Sequence, residues 1–297
     1  MKITKTFIVV FLLTFLIGTI SFYLLILKTG ENVEQIEITQ PIPSDSPAPK
    51  IETKIELEIL EENDDWRDEH ESKFKIKLLE TGEGFHGNQI EAKSGETWLG
   101  LFKVKDKYFL RSTKIKIHSV HDSVIDGYEE KYATQKTGKS VIVSGKLQPV
   151  FLLKNAKQLK EGETKTLFWN NSNEESKNEE MESTSLDKKF IREYQFGEEK
   201  YILQVREGVN KKGEKILALI FEDDKKKQVL HSTKSIEEGD YLGSLNWVGD
   251  LDRDGKPDFY FDLYFHDNVE YKNLFISSEA KKGKLLKKVA TFITTGC

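Results

Sequence analysis

Apolar and charged residues alternate through most of the chain beyond residue 53. Ile55, Leu57 and Ile59 are separated by Glu56 and Glu58, and Phe74, Ile76 and Leu78 interleave with Lys73, Lys75 and Lys77. Successive side chains of an extended strand point to opposite faces, so a period of two marks a strand with one face in a core and one in water. The same pattern predicts strands over Trp98–Val104, Tyr108–His118, Val141–Leu153 and Thr166–Trp169. Further along it predicts Phe190–Phe196, Tyr201–Val205, Ile216–Phe221, Tyr241–Val248, Phe259–Phe265, Asn273–Ser277 and Val289–Ile293. Lys211-Lys212-Gly213 and Asp223–Lys226 have the composition of hairpin tips. No long stretch beyond the N-terminus carries the 3.6-residue period of an amphipathic helix. The fold class this implies is all-β or mostly β, in one or two antiparallel β-rich domains.

The interruptions divide the chain. Asn170–Ser185 is dense in Asn, Glu and Ser and nearly free of apolar residues. Such a segment buries too little surface to offset its ordering entropy. Residues 170–186 are therefore expected to be a polar linker or long loop between β-rich blocks at 53–169 and 187–297. At the other end, Lys2 and Lys5 precede an uncharged run of 21 residues, Phe7–Leu27. At about 1.5 Å per residue this run spans the roughly 30 Å hydrocarbon core of a bilayer. It is longer than the apolar region of a secretory signal and lacks a small-residue cleavage site. Residues 1–28 thus read as a cytoplasmic stub and single transmembrane helix, with the lysines inside. A cleaved signal is the alternative, and both readings put the remainder outside the cytoplasm. Residues 29–52, with Pro41, Pro43, Pro47 and Pro49, form a spacer.

Composition narrows the classes. Charged residues make up 32% of the chain but balance to −5, so no bulk attraction to nucleic acid is implied. The single cysteine is Cys297, which leaves no partner for an internal disulfide. Nucleophile-elbow, zinc-protease, P-loop and dinucleotide motifs do not occur. His118 and His121, three apart, point to opposite faces of an extended strand and read as surface residues rather than zinc ligands.

One stretch carries explicit chemistry. In Asp250-Leu251-Asp252-Arg253-Asp254-Gly255-Lys256-Pro257-Asp258, carboxylates fall at positions 1, 3, 5 and 9 and glycine at position 6. A hard cation takes six to eight oxygens, and a chain supplies them by curling with alternate residues inward, glycine at the bend and a carbonyl at position 7. An EF-hand requires flanking helices and a Glu at position 12, but Phe261 stands there within a strand-like run. Asn246-Trp247-Val248-Gly249, the acidic loop and the strand after it resemble the calcium-binding half of FG-GAP/VCBS-type repeats, over about residues 246–265. These repeats occur in integrin-like β-propellers and many bacterial surface proteins. The resemblance implies calcium held by the side chains of Asp250, Asp252, Asp254 and Asp258 and by the Lys256 carbonyl. Propellers use several copies and this chain has one, so the resemblance extends to the loop and not to a propeller.

Together these features lead us to expect a membrane-anchored, extracytoplasmic calcium-binding protein with a binding or scaffolding role at the cell envelope. Its partner would be an envelope protein or polysaccharide, and no catalytic residue is named. The alternative is an envelope hydrolase acting on carbohydrate or peptide through carboxylates that the sequence does not pair.

Overall fold

The computed structural model describes residues 74–129, 134–169, 184–234, 241–263 and 268–295. They form β1 (Lys77–Leu79), β2 (Gly82–Phe85), β3 (Thr97–Val104), β4 (Lys107–Val120), β5 (Gly138–Val143), β6 (Pro149–Lys154), β7 (Gly162–Trp169) and β8 (Ser185–Asp187). The chain continues through β9 (Ile191–Phe196), β10 (Glu199–Val209), β11 (Lys215–Glu222), β12 (Lys227–Lys234), β13 (Tyr241–Asp250), β14 (Asp258–Leu263), β15 (Val269–Ile276) and β16 (Lys287–Thr295). A one-turn helix, α1 (Ser123–Asp126), and a 3₁₀ turn at Gly87–Gln89 are the helical elements among the described residues. None is long and apolar enough to cross a membrane. The Phe7–Leu27 run and the proline spacer lie outside the described residues.

The protein is mostly β and its strands pair antiparallel, the arrangement expected from the sequence. The larger sheet has 12 strands in the order β1-β6-β3-β4-β7-β13-β14-β15-β16, with β5 and β2 continuing from β4 and β8 beside β13. β1 comes back against β16, so this sheet nearly closes into a barrel. β12-β11-β10-β9 form a second, four-stranded sheet. The sequence divides the chain at 170–186, yet hydrogen bonding runs across that division. β7 pairs with β13, placing Thr166 opposite Gly249 and Lys165 opposite Asp250. All described residues belong to one compact unit, Ile55–Cys297.

β13–β16 are buried on both faces, and this organises the core. On β14, Tyr260 enters the barrel interior with Leu101, Leu110, Phe151, Trp247 and Leu274. Its neighbours Phe259 and Phe261 point the other way, into a second core shared with Leu203, Leu219 and Phe221 of the smaller sheet. The Phe259 ring stands 5.0 Å from Phe221 and 5.6 Å from Tyr194, both edge-on, and stacks on Phe261 at 5.5 Å. Fully burying one such side chain contributes roughly 1.5–3 kcal/mol. The alternation read over Phe259–Phe265 thus holds over Phe259–Leu263, the part that is described, but both faces there are covered. One predicted run, Val141–Leu153, is two strands, because the chain turns at Ser144–Lys146 with Gly145 at φ 113°.

The close pass of β7 over β13 needs Gly249. A Cβ there would sit 2.3 Å from the Lys165 carbonyl oxygen and 2.4 Å from the Trp247 ring. Trp247 Nε1 donates to Thr166 Oγ1 at 3.0 Å, which satisfies the polar atom of a fully buried indole. These contacts set the base of the acidic loop.

Candidate metal centre

The loop springs from adjacent strand ends, since Gly249 pairs with Asp258 across β13 and β14. Arg253 and Gly255 adopt positive φ, 66° and 83°, and these two residues close the curl. Three aspartates brace it from within. Asp250 Oδ2 accepts from Gly255 N at 3.1 Å, Asp252 Oδ1 from Asp254 N at 3.2 Å, and Asp254 Oδ1 from Lys256 N at 2.9 Å. One oxygen from each of Asp250, Asp252 and Asp254 lies within 4.8 Å of the other two. Asp250 Oδ1 is buried with no hydrogen-bond partner. An unpaired buried acceptor beside two further carboxylates is costly and is relieved by a cation.

The electrostatics run the same way. Burial, then the charges of Asp254 and Asp252, raise the pKa of Asp250 above the ordinary value, outweighing the amide of Gly255. Burial and the Asp254 charge raise Asp252. The neighbouring cation does not neutralise them: the Arg253 guanidinium turns outward and donates to the Lys160 carbonyl at 3.0 Å.

Asp258, the fourth expected ligand, stands apart from the trio. Its side chain is fully buried, with Oδ2 accepting from Leu251 N at 2.7 Å and Oδ1 from Ser277 N and Oγ at 2.8 and 3.0 Å. Burial, with a contribution from Asp252, pushes this carboxyl well above its ordinary value. Lys256 is exposed, and the contact it makes to the trio is through its amide nitrogen. Two residues that the sequence did not single out complete the setting. Ser277 Oγ lies 3.1 Å from both oxygens of Asp254, and the Ser278 hydroxyl donates to Asp252 Oδ2. Both belong to the turn after β15, and their only sequence signal is a pair of hydroxyls at a strand end. The donor set is all oxygen, which suits Ca²⁺ or Mg²⁺ over softer ions.

Two other clusters hold buried charge. At one end of the barrel, the Tyr260 hydroxyl donates to Glu80 Oε1 at 2.5 Å, and Lys272 Nζ lies 3.0 Å from Asp262 and 3.6 Å from Glu270. Burial raises Glu80, while the carboxylates of Glu80, Asp262 and Glu270 overcome burial to raise Lys272. Lys272 sits among the three acids and offsets part of their charge, and the Tyr260 hydroxyl supplies a donor to Glu80, so this cluster has partners of its own. The second cluster links His86, His121, Asp122 and Asp126 around α1. His118 is exposed on β4, as the alternation predicts, whereas His121 lies just past the strand with its ring nitrogens 3.0 Å from the Gln135 and Gly127 carbonyl oxygens. No protein-family model, curated protein or solved structure matches this chain.

Proposed function

We propose that this is a membrane-anchored, extracytoplasmic calcium-binding protein whose β-rich body serves a binding or scaffolding role at the cell envelope. The observation that carries the metal reading is Asp250 Oδ1, a buried acceptor without a donor at the meeting point of three carboxylates. Calcium would be held by Asp250, Asp252 and Asp254. Ser277 and Ser278 would orient those carboxylates, and Asp258 would hold the two turns together beneath. A structural role follows from the position of the loop, which touches two turns, the one before β7 through Arg253 and the one after β15 through Ser277 and Ser278. The location rests on the Phe7–Leu27 run, and a protease added to intact cells should reach the β-rich body while the chain stays in the membrane fraction.

Without the bidentate Glu of an EF-hand, the affinity expected is that of extracellular modules, about 10⁻⁴–10⁻³ M. Calcium at ten times its dissociation constant then stabilises the fold by roughly 1.4 kcal/mol through linkage. Melting curves of the full chain in detergent, in millimolar calcium and in chelator, test this directly. Asp252→Ala should remove the calcium-dependent gain and His118→Ala should keep it. Coincident curves for the wild type, together with no heat of binding, would leave the loop an ordinary acidic turn.

A further inference from the structure

Three of the seven large apolar side chains that stand exposed among the described residues fall within five consecutive positions of the turn between β4 and β5. Val124 is 44%, Ile125 62% and Tyr128 80% exposed. The segment is firmly built. α1 is a single turn and needs outside support to persist. Asp122 Oδ1 caps it, accepting from Val124 N and Ile125 N at 3.2 Å each, while Oδ2 meets His86 Nδ1 at 2.5 Å. Asp126 folds back beneath, its Oδ2 accepting from Asp122 N at 2.9 Å and Thr137 N at 3.0 Å. Gly87 lies so close that a Cβ would stand 2.2 Å from the Thr137 carbonyl oxygen. Two buried carboxylates and two histidines therefore hold three apolar side chains out in water. A surface that is already ordered loses little entropy on contact.

We infer that Val124, Ile125 and Tyr128 form a tip that inserts into the face of a lipid bilayer; this rests on the membrane-anchor reading above. Size argues against a folded protein as the partner. A stable interface takes about 800 Å² from each side, supplied by 20 or more residues, and three exposed side chains fall far short. A bilayer accepts such a tip whole. The composition also fits: two aliphatic side chains can enter the acyl region, while a tyrosine with an apolar ring and polar hydroxyl suits the headgroup level. A chain already tethered through Phe7–Leu27 meets that bilayer at high effective concentration, so a weak contact suffices. The described charges of the same turn, Asp122, Asp126, Glu129 and Lys136, are of both signs, so insertion is assigned to the apolar residues and not to anionic lipid.

The test uses the full chain with Cys297→Ser, reconstituted into phosphatidylcholine vesicles with and without lipids carrying a quencher in the acyl chain. An environment-sensitive dye is placed at Ile125→Cys or, as control, at Leu147→Cys. Leu147 is also exposed but follows the opposite end of β5, on the order of 20 Å away. The expected result is a blue-shifted Ile125 dye, quenched several-fold more by the lipids than the Leu147 dye. Adding Val124→Asp and Tyr128→Ser should abolish that difference. If the chain floats with the vesicles yet the two dyes are quenched alike, the tip does not insert and the anchor reading stands. Quenching that survives the two substitutions belongs to the dye and overturns the inference. So does a blue shift without lipid quenching, which reports contact with protein. A chain that does not float at all removes the anchor reading and the tip with it.

Discussion

The turn around α1 and the loop after β13 both bury aspartates, and they shift them in opposite directions. Asp122 and Asp126 in the first, and Asp250 and Asp258 in the second, are all buried, and each turn leaves one carboxylate oxygen unpaired, Asp126 Oδ1 and Asp250 Oδ1. Burial pushes all four upward. Around α1 the His86 ring and the amides of Ile125 and Val124 outweigh it and hold Asp122 below the ordinary carboxylate value; the Asp122 and Thr137 amides, with His121 nearby, do the same for Asp126. After β13 the neighbours are further carboxylates, and Asp250, Asp252 and Asp258 end above it. Burial is the largest cause at each of these carboxyls; around α1 the neighbouring donors overcome it, and after β13, where further carboxylates add to it, they do not. The α1 turn is electrostatically closed, whereas the β13 loop is short of positive charge.

The largest effect should come from Asp258→Ala. It leaves the buried amides of Leu251 and Ser277 without acceptors, at about 1–3 kcal/mol each, and urea denaturation should show a loss of roughly 3 kcal/mol. The structure gives Asp258 a bracing role, so the loss should be similar in calcium and in chelator. A loss seen mainly in calcium would restore Asp258 to the ligand set that the sequence suggests. Asp122→Ala removes a helix cap and should cost about 1–2 kcal/mol, independent of calcium. If calcium rescued it, the two turns would be coupled rather than contrasted.

The opposite shifts also predict opposite responses to pH. Asp122 and Asp126 have folded pKa values below the ordinary 3.8, so their contribution is present above that value and is lost as pH falls through the folded pKa. In chelator, Asp250, Asp252 and Asp258 behave in reverse. Their contribution is present below 3.8 and is lost as pH rises through the raised folded values. Carboxyl carbon NMR should show Asp122 titrating below, and Asp250 above, the ordinary range, with calcium drawing Asp250 down. Equal midpoints would end the comparison.

The smallest effect is the sharpest. Asp250→Asn replaces a repelling, unpaired oxygen beside two carboxylates with a neutral amide. In chelator it should raise stability by up to about 1 kcal/mol, while abolishing the gain from calcium. A matching Asp122→Asn should only destabilise. Chelator melts of the two variants that move in the same direction would show that the β13 loop is as self-sufficient as the α1 turn.

Much of this could be read from the chain directly. The period of two located most strands to within a few residues, because which face a side chain takes is a local property. β2 and β8 escaped, being three or four residues long, and so did the eight-residue β12, whose Lys-Gln-Val-Leu-His-Ser-Thr-Lys has no clean alternation of apolar and charged residues. The tips at 210–214 and 223–226 form as their composition requires, with Asn210 and Asp223 accepting from the turn amides. The carboxylate spacing, with Gly255 at the bend, likewise specified the acidic loop and three of its oxygens. Tertiary structure decided the rest. Alternation says nothing about which strands are neighbours, so the pairing of β7 with β13 across the polar stretch, and the burial of both faces of β14, emerged only when the barrel closed and the second sheet covered it. Spacing puts Asp258 on the same footing as Asp254. Tertiary contacts tell them apart: the Ser277 hydroxyl reaches both, but the amides of Ser277 and Leu251 bond Asp258, which is fully buried, while Asp254 stays exposed. Sequence therefore determined the local curl and its charge, and the three-dimensional contacts of distant turns decided which of its oxygens are left to meet an ion.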